Sequence, residues 1–399
     1  MRTWTFQSAG NLIFGRNAVA QLAAVAADMG ARRIFVIADA VLEKAGVVAK
    51  VADALKGVAL GFFHVDKPEP SVEIVRNATA AARDFQPDAI VGLGGGSNMD
   101  AAKLVALVLA HGKDATDYTG DCRVPGPVVP LICVPTTAGT GSEVSAAAVF
   151  TDTEKQMKVS CLSPYLRPAV AVVDPLLTLS CPPKVTADSG IDALTHAIEA
   201  FTAVDNDAFP LPSGEKTVYQ GKNPMADLTA ANCISLVTRY LRRAVEDGTD
   251  LEARDGMALA ATLGGLAFSN AGVALVHAME YPVGGAVHVS HGAGNGLLLP
   301  FVMRFNLPKS GRNLVELAGL FPGVPRSADA ADQAEHVIAS VEQLRRDIGI
   351  PTRLRDIGVT EDMLPGFAAK AFAIKRLMRV NPRMPQSEDE ILGIYRAAF

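Results

Sequence analysis

The chain has 399 residues, 49% of them hydrophobic and 20% charged, with a formal net charge of −5. That length exceeds one ordinary core and implies two domains of roughly 100 to 200 residues each. The composition excludes a disordered chain, and Lys and Arg scattered under a net negative charge exclude a nucleic-acid-binding surface, leaving small molecules and further copies of the chain as partners.

The five cysteines, at 122, 133, 161, 181 and 233, never form a CxxC pair. They argue against both a disulfide framework and a thiolate zinc site, and they fit a reducing cytoplasm. The N-terminus has no basic region followed by an apolar run, and no stretch reaches the roughly 18 apolar residues of a membrane span. Neither export nor membrane insertion is expected.

In chain order, residues 4–6 (Trp4 to Phe6) read as a short apolar strand without a sequential partner. Residues 33–38 (RIFVIA), 88–93 (DAIVGL) and 130–134 (PLICV) are apolar on both faces and end in polar or glycine-rich turns. This is the pattern of buried parallel strands, and the Ala-rich helical segments between them predict an α/β, Rossmann-like domain over 1–182. Beyond Pro182 strand signals almost vanish. Residues 187–203, 227–246 and 251–268 carry helical periodicity, so 183–399 is expected to be a mostly helical domain. Residues 205–222 interrupt it with prolines and glycines and read as a surface excursion.

Ligand chemistry in such sheets belongs at the carboxyl ends of the strands. After the second strong strand come Gly94, Gly95, Gly96 and Ser97, then a helix containing Asp100 and Lys103. A glycine turn lets the backbone approach a pyrophosphate while the helix N-terminus supplies N–H donors. It is not the full GxGxxG fingerprint, and alone it also suits a plain connection. The next strand ends in Thr136, Thr137, Ala138, Gly139 and Thr140, whose hydroxyls can donate to phosphate and ribose oxygens. Asp39, after the first strong strand, can accept both ribose hydroxyls and repel a 2′-phosphate, which favours NAD over NADP. The same residue also suits a helix N-cap before residues 41–44.

In the helical half, Asp192 and His196 lie four residues apart and share a helix face. Four of the seven histidines fall between 196 and 291, in apolar, glycine-rich surroundings: His196, His277, His288 and His291. One carboxylate with three imidazoles leaves coordination positions open for substrate and suits Fe²⁺ or Zn²⁺ as a Lewis acid.

Five ordered motifs, GGGSNMDAAK at 94–103, PTTAGTGSEV at 135–144, GIDALTHAIEA at 190–200, HAMEYPVGG at 277–285 and HGAGNGLLLP at 291–300, resemble the iron-containing (group III) alcohol dehydrogenase family. The resemblance implies that family's architecture, an NAD-binding α/β domain followed by an all-α metal-binding domain. It implies metal ligands Asp192, His196, His277 and His291, with His288 outside the set. It also implies nucleotide contacts at Asp39, Gly95, Gly96, Ser97, Asp100, Thr136, Thr137, Thr140 and Lys158, and pairing of N-terminal strands in a homodimer or larger assembly.

Many family members carry histidine where Tyr281 stands, and it is thought to relay protons there, so either Tyr281 or a metal-bound water is expected to carry the proton. Tyr281, together with the excursion, resembles the hydroxyacid-oxoacid transhydrogenase branch, in which Lys222 or Arg239 would meet a substrate carboxylate. The expected reaction is reversible hydride transfer between NAD(H) and a small alcohol or aldehyde in the cleft between domains. The alternatives are a transhydrogenase or 4-hydroxybutyrate-type dehydrogenase and, more distantly, a sugar-phosphate cyclase, which would need a Lys/Arg cluster that 184–300 lacks.

Overall fold

The computed structural model describes residues 2–65, 70–154, 157–212, 214–325 and 329–399. The chain divides into two compact units, one over Gln7–Cys181 with Lys216–Val218, the other over Pro182–Glu215 and Tyr219–Phe399 together with the N-terminal residues up to Phe6.

The first unit is built on a six-stranded sheet of β1 (Asn11–Phe14), β2 (Arg33–Asp39), β3 (Ala59–Val65), β4 (Ala89–Gly94), β6 (Leu131–Pro135) and β9 (Val170–Val173). Its order is β1-β9-β6-β4-β2-β3, with every pair parallel. Alternate residues of the central strands feed two cores. Ile34, Val36, Val91 and Leu93 pack on one face against α1 (Leu22–Asp28) and α3 (Val47–Ala54). Phe35, Ile37 and Ile90 pack on the other against α4 (Val72–Phe85) and α5 (Gly96–His111). Burial on both faces is why these strands read as continuous apolar runs. The short α2 (Ala40–Lys44) follows β2 directly.

A smaller three-stranded sheet joins β5 (Gly120–Asp121), β8 (Met157–Leu162) and β7 (Ala147–Asp152). It was not anticipated, nor were β1, β3 and β9. β7 alternates half-buried and buried positions, and β1 is a largely exposed edge strand.

The second unit contains α6 (Pro183–Thr202), α7 (Pro224–Glu246), α8 (Leu251–Ala271), α9 (Leu275–Val287), α10 (His291–Leu317), α11 (Ala330–Asp347), α12 (Leu364–Ala373), α13 (Lys375–Met378) and α14 (Glu388–Ala398). α6 to α10 are packed by close approach. A Cβ on Gly190 would come 2.2 Å from Leu241 of α7, and one on Gly292 would come 1.9 Å from the Asp188 carbonyl oxygen of α6. Among the described residues of 205–222 there is a short 3₁₀ turn, Asn206–Ala208, and a bridge between Asp205 and Lys222.

No strand forms at Trp4 to Phe6 within the chain. There the Thr5 backbone N–H donates to Gln220 Oε1 at 3.0 Å and its carbonyl accepts from Gln220 Nε2 at 3.1 Å, so a side-chain amide takes the place of a strand partner. Among the described residues no single helix is long and apolar enough to cross a membrane.

Candidate functional site

One stripe of α6, Asp188, Asp192, His196 and Glu199, repeats at helical spacing and faces α9 and α10. Asp192, His196 and His277 are buried, and their ligand atoms all lie within 4.8 Å of one another. Asp192 Oδ2 is 3.9 Å from His196 Nε2, and Asp192 Oδ1 is 4.0 Å from His277 Nε2. The His196 and His277 rings stack at 4.9 Å, with Phe268 of α8 stacked on the outer face of His196 at 4.3 Å.

His291 is the more open member, its side chain 33% exposed, and its ring meets that of His277 edge-on at 5.2 Å. It joins the group through Asn295, one turn further along α10. Asn295 Nδ2 lies 2.8 Å from Asp192 Oδ1, 3.2 Å from His277 Nε2 and 3.1 Å from His291 Nε2. Lone pairs from three residues thus converge on one buried electropositive group, which is the donor arrangement a cation requires. Burial pushes the Asp192 carboxyl up, but His196, His291, His277 and the Asn295 amide outweigh it and hold the group below the ordinary carboxylate range.

Three residues that sequence reasoning missed complete the centre: Asn295, Glu199 and Glu280. Glu199 Oε2 meets His277 Nδ1 at 2.5 Å while its other oxygen accepts the Val276 N–H at 2.7 Å. Glu280 Oε2 meets His291 Nδ1. The signal lay in the repeated H-x-x-E at 196–199 and 277–280. Ser290 caps α10, accepting from the Ala293 N–H and donating to Asp188 Oδ2 at 2.6 Å, which fixes the start of the helix that carries His291. Tyr395 donates to the Met279 carbonyl at 2.6 Å and so anchors α9.

Tyr281 is half-buried with its ring 6.1 Å from that of His291. His288 ends α9 in a left-handed conformation. The expected carboxylate partners are already engaged. Lys222 Nζ sits 3.3 Å from Asp227 Oδ2 and 4.9 Å over the Phe201 ring, while Arg239 is 68% exposed beside Glu252 and Tyr240.

In the sheet unit, Gly95 is the N-cap of α5, and Gly96 and Ser97 form its first turn at the end of β4. This turn touches the loop after β6: a Cβ on Gly96 would come 2.8 Å from Thr140, and one on Gly95 would come 3.5 Å from Thr137 Oγ1. The Thr136 N–H donates to the Gly94 carbonyl at 3.0 Å. Gly94 itself has φ +140, where side chains are strained.

Asp39 takes the helix N-cap position expected of it. Its Oδ1 caps α2 by accepting the Leu42 N–H at 2.9 Å, and its Oδ2 accepts from Asn98 Nδ2 at 3.0 Å. Asp100 is turned inward, where Oδ1 accepts from Ser142 at 2.6 Å and Oδ2 from the Val149 N–H at 3.0 Å. It braces the loop from below, with the fully buried Lys103 donating to Ser142, Ser145 and the Ala147 carbonyl. Lys158 lies on β8 opposite Thr151, in the three-stranded sheet.

The family model for iron-containing alcohol dehydrogenase matches residues 9–175, and that for the Fe-containing alcohol dehydrogenase family, C-terminal, matches 214–399. The chain belongs to the iron-containing alcohol dehydrogenase family. It is an NAD-dependent, iron-type oxidoreductase of alcohols.

Similar proteins in that family include long-chain-alcohol dehydrogenase 1 of Geobacillus thermodenitrificans, 38% identical over 96% of this chain and 94% of its own. The crystal structure of 1,3-propanediol oxidoreductase is 36% identical with a TM-score of 0.93, covering 100% of each chain. The mitochondrial hydroxyacid-oxoacid transhydrogenase of Xenopus tropicalis is 31% identical over 98% of this chain and 89% of its own. The donor set fits an iron ion on its chemistry. A carboxylate and imidazole nitrogens of the correct tautomer suit a divalent first-row metal, and no thiolate stands among them.

Proposed function

We propose that Asp192, His196, His277 and His291 hold the iron, and that Asp39, the Gly95–Ser97 turn and the Thr136–Thr140 loop cradle NAD, with Lys158 contributing from β8. Asp100 supports that loop instead of contacting the nucleotide. The observation carrying the metal assignment is the convergence of Asp192, His277 and His291 on the single Asn295 amide nitrogen. Bound iron supplies a Lewis acid for the oxygen of the alcohol or aldehyde. The protein holds three donors in a dry pocket and leaves His291 on the accessible side, where substrate is admitted.

The substrate is a small alcohol or aldehyde without a carboxylate. Lys222 is paired with Asp227 and Arg239 lies beside Glu252, which supports a simple dehydrogenase over transhydrogenase or 4-hydroxybutyrate chemistry. Tyr281 shapes the pocket: a phenol with a reference pKa of about 10 is a poor proton acceptor near neutrality. The enzyme works in the cytoplasm as a homodimer or larger assembly. Its cysteines form no disulfide among the described residues, and the edge strand β1 presents Leu12 and Phe14, 36% and 38% exposed, for pairing.

His277→Ala tests the ligand set. Iron content measured by plasma emission falls together with turnover, while NADH binding followed by fluorescence survives. Full activity in the metal-free variant refutes it.

A further inference from the structure

We propose that Glu199 and Glu280 are positioning residues that set the metal affinity of the centre, each bracing the imidazole of a neighbouring helix. The proposal rests on the ligand set given above. The two glutamates follow a ligand histidine by three residues, yet neither serves its own helix. Glu199 of α6 reaches His277 of α9, and Glu280 of α9 reaches His291 of α10. Each H-x-x-E segment therefore supplies one ligand and one brace for the next ligand, chaining three helices in sequence.

The chemical consequence is specific. An imidazole offers a lone pair from one nitrogen only when its proton sits on the other. A carboxylate at Nδ1 keeps the proton there, turns Nε2 toward the shared Asn295 amide and raises the basicity of the ring. It also limits ring rotation, which matters most at His291, the member with an exposed side chain.

Electrostatics add a second effect. Asp192, Glu199 and Glu280 are 2%, 4% and 0% exposed, so three carboxylates are buried around imidazoles. Buried anions are costly unless compensated, and a divalent cation at their centre supplies the compensation. The packing makes room for this: a Cβ on Gly294 would come 2.8 Å from Glu280 Cγ, so α10 carries glycine where the carboxylate passes. Glu199 has an additional duty at the start of α9, where it accepts the Val276 N–H. Glu280 is therefore the cleaner test.

The experiment loads the full chain with Co²⁺, in wild type and in Glu280→Gln, Glu199→Gln and Asp192→Asn, and titrates each against a chelator of known affinity. The cobalt d–d absorption reports occupancy. Each glutamate variant is expected to hold Co²⁺ about 10- to 100-fold more weakly. NADH affinity by fluorescence stays unchanged, and the metal-free Tm of Glu280→Gln is no lower than that of wild type, because a buried charge has been removed. A role in packing alone would lower the Tm of the metal-free and loaded forms equally.

Cobalt affinity within twofold of wild type in both glutamate variants, with Asp192→Asn losing the ion, overturns this proposal and leaves the ligand set standing. Retention of the ion by Asp192→Asn as well overturns the ligand set and this proposal with it. An equal fall in both Tm values of Glu280→Gln also overturns the positioning role.

Discussion

Gly292→Ala subjects the packing of the metal centre to a sharp test. Gly292 is the second residue of α10, next to His291, and a Cβ there would lie 1.9 Å from the Asp188 carbonyl oxygen and 3.1 Å from Asp192 Cβ. Ordinary van der Waals contacts begin about 1.5 Å further out, and the obstructing atom is backbone, so no rotamer change relieves the clash. α10 must move away from α6 by about an ångström, carrying His291 and Asn295 off Asp192. Overpacking in a tight core costs about 1–3 kcal/mol, and a backbone obstruction places this variant at the upper end. Urea unfolding and cobalt retention measure the two effects, with Gly366→Ala as control. Gly366 lies exposed within α12 with nothing within 4 Å of an added Cβ, so alanine there is expected to be neutral or to stabilise by about 0.4–1 kcal/mol. Wild-type stability and metal retention in Gly292→Ala would refute the close-approach argument.

Four further outcomes are expected. Asp39→Gly should narrow the preference for NADH over NADPH by about 1–3 kcal/mol of discrimination, read from the ratio of kcat/KM values; a wild type that uses both cofactors equally contradicts the role of Asp39. Tyr281→Phe should leave kcat nearly unchanged and alter KM, so a tenfold loss of kcat with metal content and NADH affinity intact would make Tyr281 a proton carrier. Burial raises the Asp227 carboxyl to about 6 against the pull of Lys222. The unfolded chain therefore gives up this proton first, and stability falls as pH rises from about 4 to 6, by about 1 kcal/mol after allowance for a carboxylate 27% exposed. Tm measured across that window should be flatter in Asp227→Asn, and parallel curves would refute the assignment. Light scattering at micromolar concentration should exceed the mass of one chain, and a monomeric mass excludes the assembly through β1.

The central sheet was legible because its strands are buried on both faces. β2, β4 and β6 are nearly unbroken apolar runs ending in polar or glycine-rich turns, and such runs admit few other readings. The outer strands were not legible. β1 is mostly exposed and β7 only alternately buried, so their sequences carry weak patterns that a parallel or antiparallel neighbour decides. The residues expected as a strand at Trp4 to Phe6 show the same limit from the other side, since apolar content alone cannot say whether a sheet edge is within reach. At Thr5 a glutamine amide is, and it takes the backbone bonds.

The clustering of Asp192, His196 and His277 was legible for a different reason: a histidine one helical turn from an aspartate, with further histidines in apolar text, points to one buried polar centre. Their supports were hidden, because a support is defined by what it reaches across space. Glu199 and Glu280 sit three residues after histidines they do not serve, so reading along one helix assigns each glutamate to the wrong ring. Asp100 shows a related limit. Placed after a phosphate-binding turn, it suggests a ligand contact, yet α5 turns it inward to hold Ser142 and the Val149 N–H. In both places the chemistry belongs to groups that must face an open space, while the residues fixing those groups are the ones the helix buries. Variants of the supports should therefore change affinity and stability before they change the identity of the reaction.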